Sequence, residues 1–389
     1  MKILFVLAQA FDPNAGGVQR TTFTLGKHFS EKGFDVAYFS FSNKHQAKPQ
    51  YGRLFFVIAA GGSAIKANKA LFIENLENFK PDYVINQAPY DKNIRDLLSY
   101  HSFFLKYINL ACIHNSLFSF KSNVEDILMS RFPTYLKLII TSRIVKLIAQ
   151  RNHLIKHRKE LTDIISKHDK LILLTPKNIE ELEYFLGKNY PKEKIISIPN
   201  PIAIFENQLD EKENVLLHVG RINIPQKRSD LLLKTWELCY DQLPGWTFII
   251  VGDGPYLTVL QRKIEEKKIP RVIVTGFQNP EEYYRKAKLF MMPSAYEGLP
   301  NTILEAQSYG CVSFAFDSYA AIGWIVNDKQ DALLLQPFDV KAMAESIIDL
   351  ANKPDKLLKM QKNALNNVNR FAIDTVINSW ISLFDETRK

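Results

Sequence analysis

Met292-Pro-Ser-Ala-Tyr-Glu-Gly-Leu-Pro-Asn-Thr-Ile-Leu-Glu-Ala-Gln-Ser-Tyr-Gly310 sets two carboxylates, Glu297 and Glu305, eight positions apart across an expected loop-to-helix junction. Gly298 allows a tight turn, and Pro300 suits the first helical position, where its missing N–H has no partner to lose. The pattern predicts a helix from about Leu299–Pro300, with Glu297 in the loop before it and Glu305 in its second turn. The amides of Asn301, Thr302 and their neighbours then face outward at the positive end of the helix dipole, a place for an anion such as a diphosphate. Carboxylates on either side of that diphosphate accept hydrogen bonds from sugar hydroxyls. This is the outline of a nucleotide-sugar site.

Outward from this stretch the strand-loop-helix theme repeats. Apolar strands are expected at Leu289–Met292, Cys311–Phe316 and Ala332–Leu335. Upstream, Val215-Leu-Leu-His-Val-Gly-Arg-Ile-Asn-Ile-Pro-Gln-Lys-Arg-Ser opens a domain with a strand whose following loop carries Arg221 and Lys227. Thr247–Val251 with Gly252-Asp-Gly-Pro255, and Arg271–Thr275 with Gly276-Phe277, give two more strand-to-loop edges. The first half follows the same plan: a strand at 2–8, a loop with Gly16-Gly17, a helix from Val18 to Lys32, and strands near 34–40, 54–58, 83–86 and 105–112, the last running into His114. Shorter strands at 171–174 and 194–198 flank a helix ended by Gly187, and the polar stretch 203–213 reads as a linker. The fold class expected is α/β, with two Rossmann-like doubly wound domains facing each other across a cleft. Residues 1–202 form the first domain and 203–370 the second, with a closing helix at about 371–389 able to pack back on the first.

Size and composition bound the possibilities. The 389 residues are 46% hydrophobic and 12% aromatic, ample for two packed cores. A formal net charge of +9 favours an anionic partner: a nucleotide, a nucleic acid or an anionic membrane surface. Cys112, Cys239 and Cys311 are widely spaced within apolar runs, which indicates neither a disulfide framework nor a metal cluster and fits a reducing cytoplasm. The apolar N-terminus is short and leads straight into a glycine loop, so it reads as a buried strand and not as a signal peptide. No run approaches the roughly twenty apolar residues that a transmembrane helix needs, so membrane contact is expected to be peripheral. Its expected site is the helical stretch 121–160, where Lys121, Arg131, Lys137, Arg143, Lys146, Arg151, Lys156, Arg158 and Lys159 alternate with apolar residues. Its modest aromatic content speaks against a nucleic-acid partner.

With these pieces placed, the chain resembles the retaining GT-B glycosyltransferases of family 4 (glycosyl transferases group 1) over essentially its full length. Gly16-Gly17, His114, His218-Val-Gly-Arg221 with Lys227, Gly252-Asp-Gly-Pro255 and the Glu297-to-Glu305 element follow that family's order and spacing. Ala306-Gln-Ser-Tyr-Gly310 is similar to the family's usual Glu-Ala-Met-Ala-Cys-Gly continuation. The resemblance implies that Arg221 and Lys227 clamp the donor diphosphate, that Glu305 binds the ribose hydroxyls, and that Glu297 with the backbone of Gly298 and Leu299 holds the transferred sugar. It also implies that Gly16-Gly17 closes over the phosphates, that His114 approaches the donor sugar, and that the base rests near Gly276-Phe277. His114, Arg221, Lys227 and Glu297 are thus the candidate catalytic residues. The family also implies retention of anomeric configuration. One departure is Ser318-Tyr-Ala-Ala-Ile-Gly323, where the family often shows Cys-Pro-Thr-Gly-Pro.

The chain contains no Asp-x-Asp pair of the kind that binds a divalent ion in metal-dependent transferases. Clamped cations and helix amides stabilise a departing diphosphate without one. The expectation is therefore a metal-independent hexosyltransferase with no cofactor. Its donor is expected to be a nucleotide sugar, a UDP-sugar ahead of a GDP- or ADP-sugar. Its acceptor is expected to be a saccharide or lipid-linked saccharide, in cytoplasmic assembly of surface polysaccharide or glycoconjugate at the inner face of the membrane. Two other readings stay open: a nucleotide-sugar epimerase of the same fold, and a non-catalytic basic protein binding lipid or nucleic acid.

Overall fold

Short apolar runs buried on both faces, such as Ile3–Leu7, Tyr83–Asn86 and Val312–Phe316, are the pattern of a parallel sheet covered by helices on each side. The computed structural model, which describes residues 1–14, 16–42, 46–56, 64–131, 135, 137–205, 209 and 212–388, has two such sheets. The first contains Lys2–Leu7 (β1), Asp35–Ser40 (β2), Arg53–Phe56 (β3), Tyr83–Asn86 (β4), Ile108–Ile113 (β5), Lys170–Leu173 (β6) and Ile195–Ser197 (β7), in the order β3-β2-β1-β4-β5-β6-β7. The second contains Glu213–Val219 (β8), Thr247–Val251 (β9), Val272–Gly276 (β10), Ala287–Met292 (β11), Val312–Phe316 (β12) and Ala332–Leu335 (β13), in the order β10-β9-β8-β11-β12-β13. Every pairing in both is parallel.

The chain divides into a first unit of Met1–His114, Leu154–Pro201 and Asp374–Lys389, and a second of Asn115–His153 and Ile202–Ile373. In the first, the helix Ile373–Thr387 is stapled to the sheet by aromatic contacts. Tyr83 donates to the Phe384 carbonyl at 2.6 Å, and its ring lies 4.4 Å from that of Phe384. Phe29 meets both Phe384 and Trp380. In the second, Trp236 and Phe248 belong to a core that packs the helices Asp230–Glu237 and Val340–Ala351 against the sheet, with the Trp236 indole N–H donating to the Pro270 carbonyl at 3.0 Å.

Two expectations need correction. Residues 115–153 group with the second unit and not with the rest of 1–202. The strand expected from 105 starts at Ile108. The preceding helix Lys92–Leu105 is capped by Asp91, which accepts from the Asn93 and Ile94 amides at 2.9 and 3.2 Å, and it closes through Lys106 in a left-handed turn. Residues 57–58 of the strand expected at 54–58, parts of the linker 203–213 and parts of the basic stretch 121–160 lie outside the described residues. Cys112, Cys239 and Cys311 are buried thiols. Among the described residues no helix is long and apolar enough to cross a membrane.

Burial also makes the fold acid-sensitive. His168 and His218 are 3% and 0% exposed, and desolvation is the main cause that lowers each to a pKa of about 4. The unfolded chain protonates them near 6.5 while the native chain does not, so stability is full above that value and is lost as the pH falls toward 4. Each histidine contributes on the order of 3 kcal/mol to this loss. The urea midpoint is expected to drop steeply between pH 7 and pH 4.5; a level midpoint over that range would contradict the neutral, buried state of these rings.

Candidate active site

In the second sheet the strand order reverses between the neighbours β8 and β11, and such a reversal opens a ligand crevice at the strands' carboxyl ends. Lys227 lies on the loop after β8 and Glu297 on the loop after β11. The two meet across the reversal, Lys227 Nζ lying 2.6 Å from Glu297 Oε1. Both are largely withdrawn from water, with side-chain exposures of 16% and 9%. Gln226 reinforces the junction: its Nε2 donates to Glu297 Oε2 at 3.3 Å and its carbonyl accepts the Ala295 amide at 2.8 Å. The loop holds Lys227 through its amide, which donates to Asn223 Oδ1 at 3.1 Å, while the Asn223 amide donates to Ser229 Oγ at 3.0 Å.

Beneath this pair sits His218, the penultimate residue of β8. Its Nδ1–H donates to the Met291 carbonyl at 2.9 Å, which fixes the tautomer and leaves Nε2 as a bare acceptor. Burial, helped by the nearby Lys227 charge, keeps the ring neutral. That Nε2 has no hydrogen-bond partner, and neither do the buried Ser294 Oγ after β11 and Tyr319 hydroxyl after β12. Three orphaned polar groups therefore lie at or just past the carboxyl ends of three adjacent strands. Burying such groups unpaired costs about 1–3 kcal/mol each, a cost that cores avoid and ligand sites accept.

The helix after Glu297 spans Asn301–Ser308, later than the sequence predicts. Pro300, with ψ of 80°, is the cap residue outside the helix and not its first member. The Asn301 amide is not free for an anion as expected, because it closes on the Leu299 carbonyl at 2.9 Å. Gly298 and Leu299 are buried in the loop, and Thr302 directs its hydroxyl to Met292 Sδ at 3.5 Å. Glu305 is partly buried and accepts from the Tyr284 hydroxyl at 2.9 Å. Tyr284 is in turn stacked on Tyr309 at 5.8 Å.

Arg221 stands exposed just past β8. At the neighbouring edge, the Gly276 carbonyl accepts the Gly252 amide at 2.8 Å, and the adjoining Phe277 ring is 65% exposed, an aromatic face beside a backbone edge. The remaining candidates belong to the first unit, at its own strand-order reversal between β1 and β4. Gly16 caps the helix Gly17–Glu31 that follows β1. His114, directly after β5, pairs through Nε2 with the side-chain carbonyl of Gln87, which follows β4. Burial lowers His114 to a pKa of about 4, so the ring donates Nε2–H to Gln87 and keeps Nδ1 as an acceptor.

The sequence does not assign roles to Gln226, Ser294, Tyr319 or Tyr284. His218 is legible only as part of a motif. Tyr284 carries no sequence signal at all, since its contact with Glu305 exists only once two separate helices pack.

Residues 200–367 match the family of glycosyl transferases group 1. The chain is 26% identical over 318 residues, 81% of each partner, to the amylovoran biosynthesis glycosyltransferase AmsD of Erwinia amylovora. It is 30% identical, over 45% of this chain and 49% of the other, to a UDP-Gal:alpha-D-GlcNAc-diphosphoundecaprenol alpha-1,3-galactosyltransferase of Escherichia coli. The pneumococcal O-GlcNAc transferase GtfA, solved with UDP and GlcNAc, superposes with a TM-score of 0.73 at 13% identity, covering 99% of this chain and 98% of that one. At that identity the likeness shows the fold, and it is the two-Rossmann-domain GT-B fold.

Proposed function

We propose that the protein is a retaining, metal-independent glycosyltransferase. It moves a sugar from a nucleotide sugar, preferably a UDP-sugar, to a saccharide or lipid-linked saccharide in surface polysaccharide or glycoconjugate assembly. The Lys227–Glu297 pair across the β8–β11 reversal carries this reading. A cation and a carboxylate held together at the ligand edge match the two ends of a sugar diphosphate. Lys227 and Arg221 take the negative charge that develops on the diphosphate as the glycosidic bond breaks, and Glu297 accepts hydrogen bonds from the sugar hydroxyls. Glu305, oriented by Tyr284, accepts from the ribose hydroxyls. The acceptor oxygen attacks from the face the diphosphate leaves, and the departing phosphate takes its proton, which retains the anomeric configuration. The relatives' names, one with a UDP-galactose donor and a diphosphoundecaprenol-linked acceptor, support the same donor and acceptor classes.

A thermal-shift panel of UDP-, GDP- and ADP-sugars tests the donor: stabilisation by UDP-sugars is expected, and a response to none of the three would remove the reading. With cations in place of a metal, turnover is expected to persist undiminished in EDTA. Complete loss in EDTA, restored by Mn²⁺, would overturn metal independence.

The acceptor reaches the enzyme at the cytoplasmic face of a membrane. The start of the helix Arg143–Ser166, within the second unit, supports this with a mixed surface on which Ile144, Leu147 and Ile148, 55–71% exposed, stand among Arg143, Lys146 and Arg151. Such a surface suits anionic headgroups. The protein is expected to float with phosphatidylglycerol vesicles at low salt and to be released at high salt. Absence of flotation removes the membrane clause and leaves the transferase reading standing.

A further inference from the structure

In the second unit, apart from Lys227 and Glu297, an open cleft of about 410 Å³ lies between the helices of 119–150 and Phe338. Among the described residues Lys121, Arg143 and Lys146 line it, against one carboxylate, Glu125. The Lys121 ammonium lies 4.3 Å from the Phe118 ring centre, and the Lys121 backbone carbonyl accepts from Gln150 Nε2 at 3.3 Å. Arg143 is exposed at the start of its helix. Lys146 pairs with Glu125 at 2.9 Å, but the two side chains are 31% and 48% exposed. A pair this wet is worth little, so its lysine is available to a stronger anion. The cleft therefore carries a net positive charge with hydrogen-bond donors on two helices and an aromatic wall.

The wall has a second property. Phe338 holds φ at +66°, a left-handed conformation rare for a bulky aromatic and costly unless its surroundings enforce it. Arg228 packs on this ring, its guanidinium 4.5 Å from the Phe338 ring centre and fixed by two hydrogen bonds to Asp230, at 3.1 and 3.2 Å. Arg228 itself has φ of +48° and directly follows Lys227. The Arg228–Phe338 contact thus joins the cleft's wall to the loop that presents Lys227. A cationic cleft sharing a wall with that loop suits the charged part of the second substrate.

We propose that this cleft binds a phosphoryl group carried by the acceptor, so that the acceptor class is a phosphate-bearing saccharide and not a neutral one. The proposal rests on the transferase reading and adds the acceptor's charge to it. Phosphoryl oxygens are bound by Arg143, Lys146 and Lys121 as charge-assisted hydrogen-bond acceptors. The same chemistry occurs in a polyprenyl diphosphate and in a polyol phosphodiester.

Calorimetric titration of the full chain distinguishes these sources, with geranyl diphosphate, a glycerol-phosphate trimer and geraniol as probes. At least one phosphorylated probe is expected to bind, and geraniol is not. Geranyl diphosphate alone assigns a lipid diphosphate; the trimer alone assigns a phosphodiester chain. In Arg143→Gln/Lys146→Gln, two partly solvated positions whose change leaves the core intact, the phosphorylated probe is expected to weaken by at least about tenfold while UDP affinity holds. Equal binding to the variant, or no binding of either phosphorylated probe to a protein that still binds UDP, overturns the proposal alone. Failure of the unaltered protein to bind UDP strikes the transferase reading instead.

Discussion

Lys227→Ala is expected to lower kcat/KM for the nucleotide sugar by about a hundredfold and to destabilise the second unit as well. A charge-assisted hydrogen bond contributes about 1.5–3 kcal/mol, and each 1.4 kcal/mol is a factor of ten, which sets the kinetic estimate. The stability estimate has a separate origin. Glu297 is 8% exposed, and without the ammonium at 2.6 Å it keeps only the longer bond from Gln226 at 3.3 Å. Leaving a buried carboxylate without its cation costs about 3–5 kcal/mol. The two effects separate in a double variant. Lys227→Ala/Glu297→Gln removes the uncompensated charge, so its urea midpoint is expected to recover toward that of the unaltered protein, while its turnover stays low because the diphosphate still lacks its cation. Glu305→Ala, which leaves the ion pair untouched, is expected to weaken donor affinity without the loss of stability. UDP affinity unchanged in both Lys227→Ala and Glu305→Ala would remove the site assignment.

That ion pair also marks the limit of what the sequence discloses. Both members are legible in advance, because each falls on a loop after an apolar strand, and in a doubly wound sheet such loops gather on one edge. Adjacency of β8 and β11 is what turns two loop residues into a pair, and strand order is a long-range property that no local pattern encodes. The same reason hides Tyr284: its bond to Glu305 joins helices whose separation in sequence says nothing of their packing. Pro300 fails differently. Proline favours both the first helical position and the residues around a turn, and here the turn wins, with the Asn301 amide spent on Leu299. Residues 115–153 follow the first half in sequence, yet a helical excursion is free to pack on either unit, and its apolar and basic alternation does not specify which. Strand positions, by contrast, are legible in runs of Val, Ile, Leu and Phe that suit a twice-covered sheet, and Tyr83–Asn86, Thr247–Val251 and Ala332–Leu335 match to the residue.

Gly252→Ala is expected to destabilise the protein by on the order of 3–4 kcal/mol and to reduce UDP affinity with it. A β-carbon at Gly252 falls 1.8 Å from the Gly220 carbonyl oxygen and 2.9 Å from its carbon. These are backbone atoms, so no rotamer change relieves the overlap. The loops themselves have to part. They are joined by the Gly220 amide donating to the Val251 carbonyl at 3.0 Å, the Ile222 amide donating to the Asp253 carbonyl at 2.9 Å, and the Gly252 amide donating to the Gly276 carbonyl at 2.8 Å. Displacing one loop therefore disturbs the carboxyl ends of β8, β9 and β10 together, and Arg221 is the next residue after the one that is struck. Gly245→Ala is the control, since its nearest neighbour, Asn214 Nδ2, is 3.9 Å away and a methyl group fits. Urea unfolding of the two variants is expected to leave Gly245→Ala within about 0.5 kcal/mol of the unaltered protein. If Gly252→Ala is equally mild, the loops after β8 and β9 do not press together as described. If it is destabilised but binds UDP normally, Arg221 does not depend on that contact for its place.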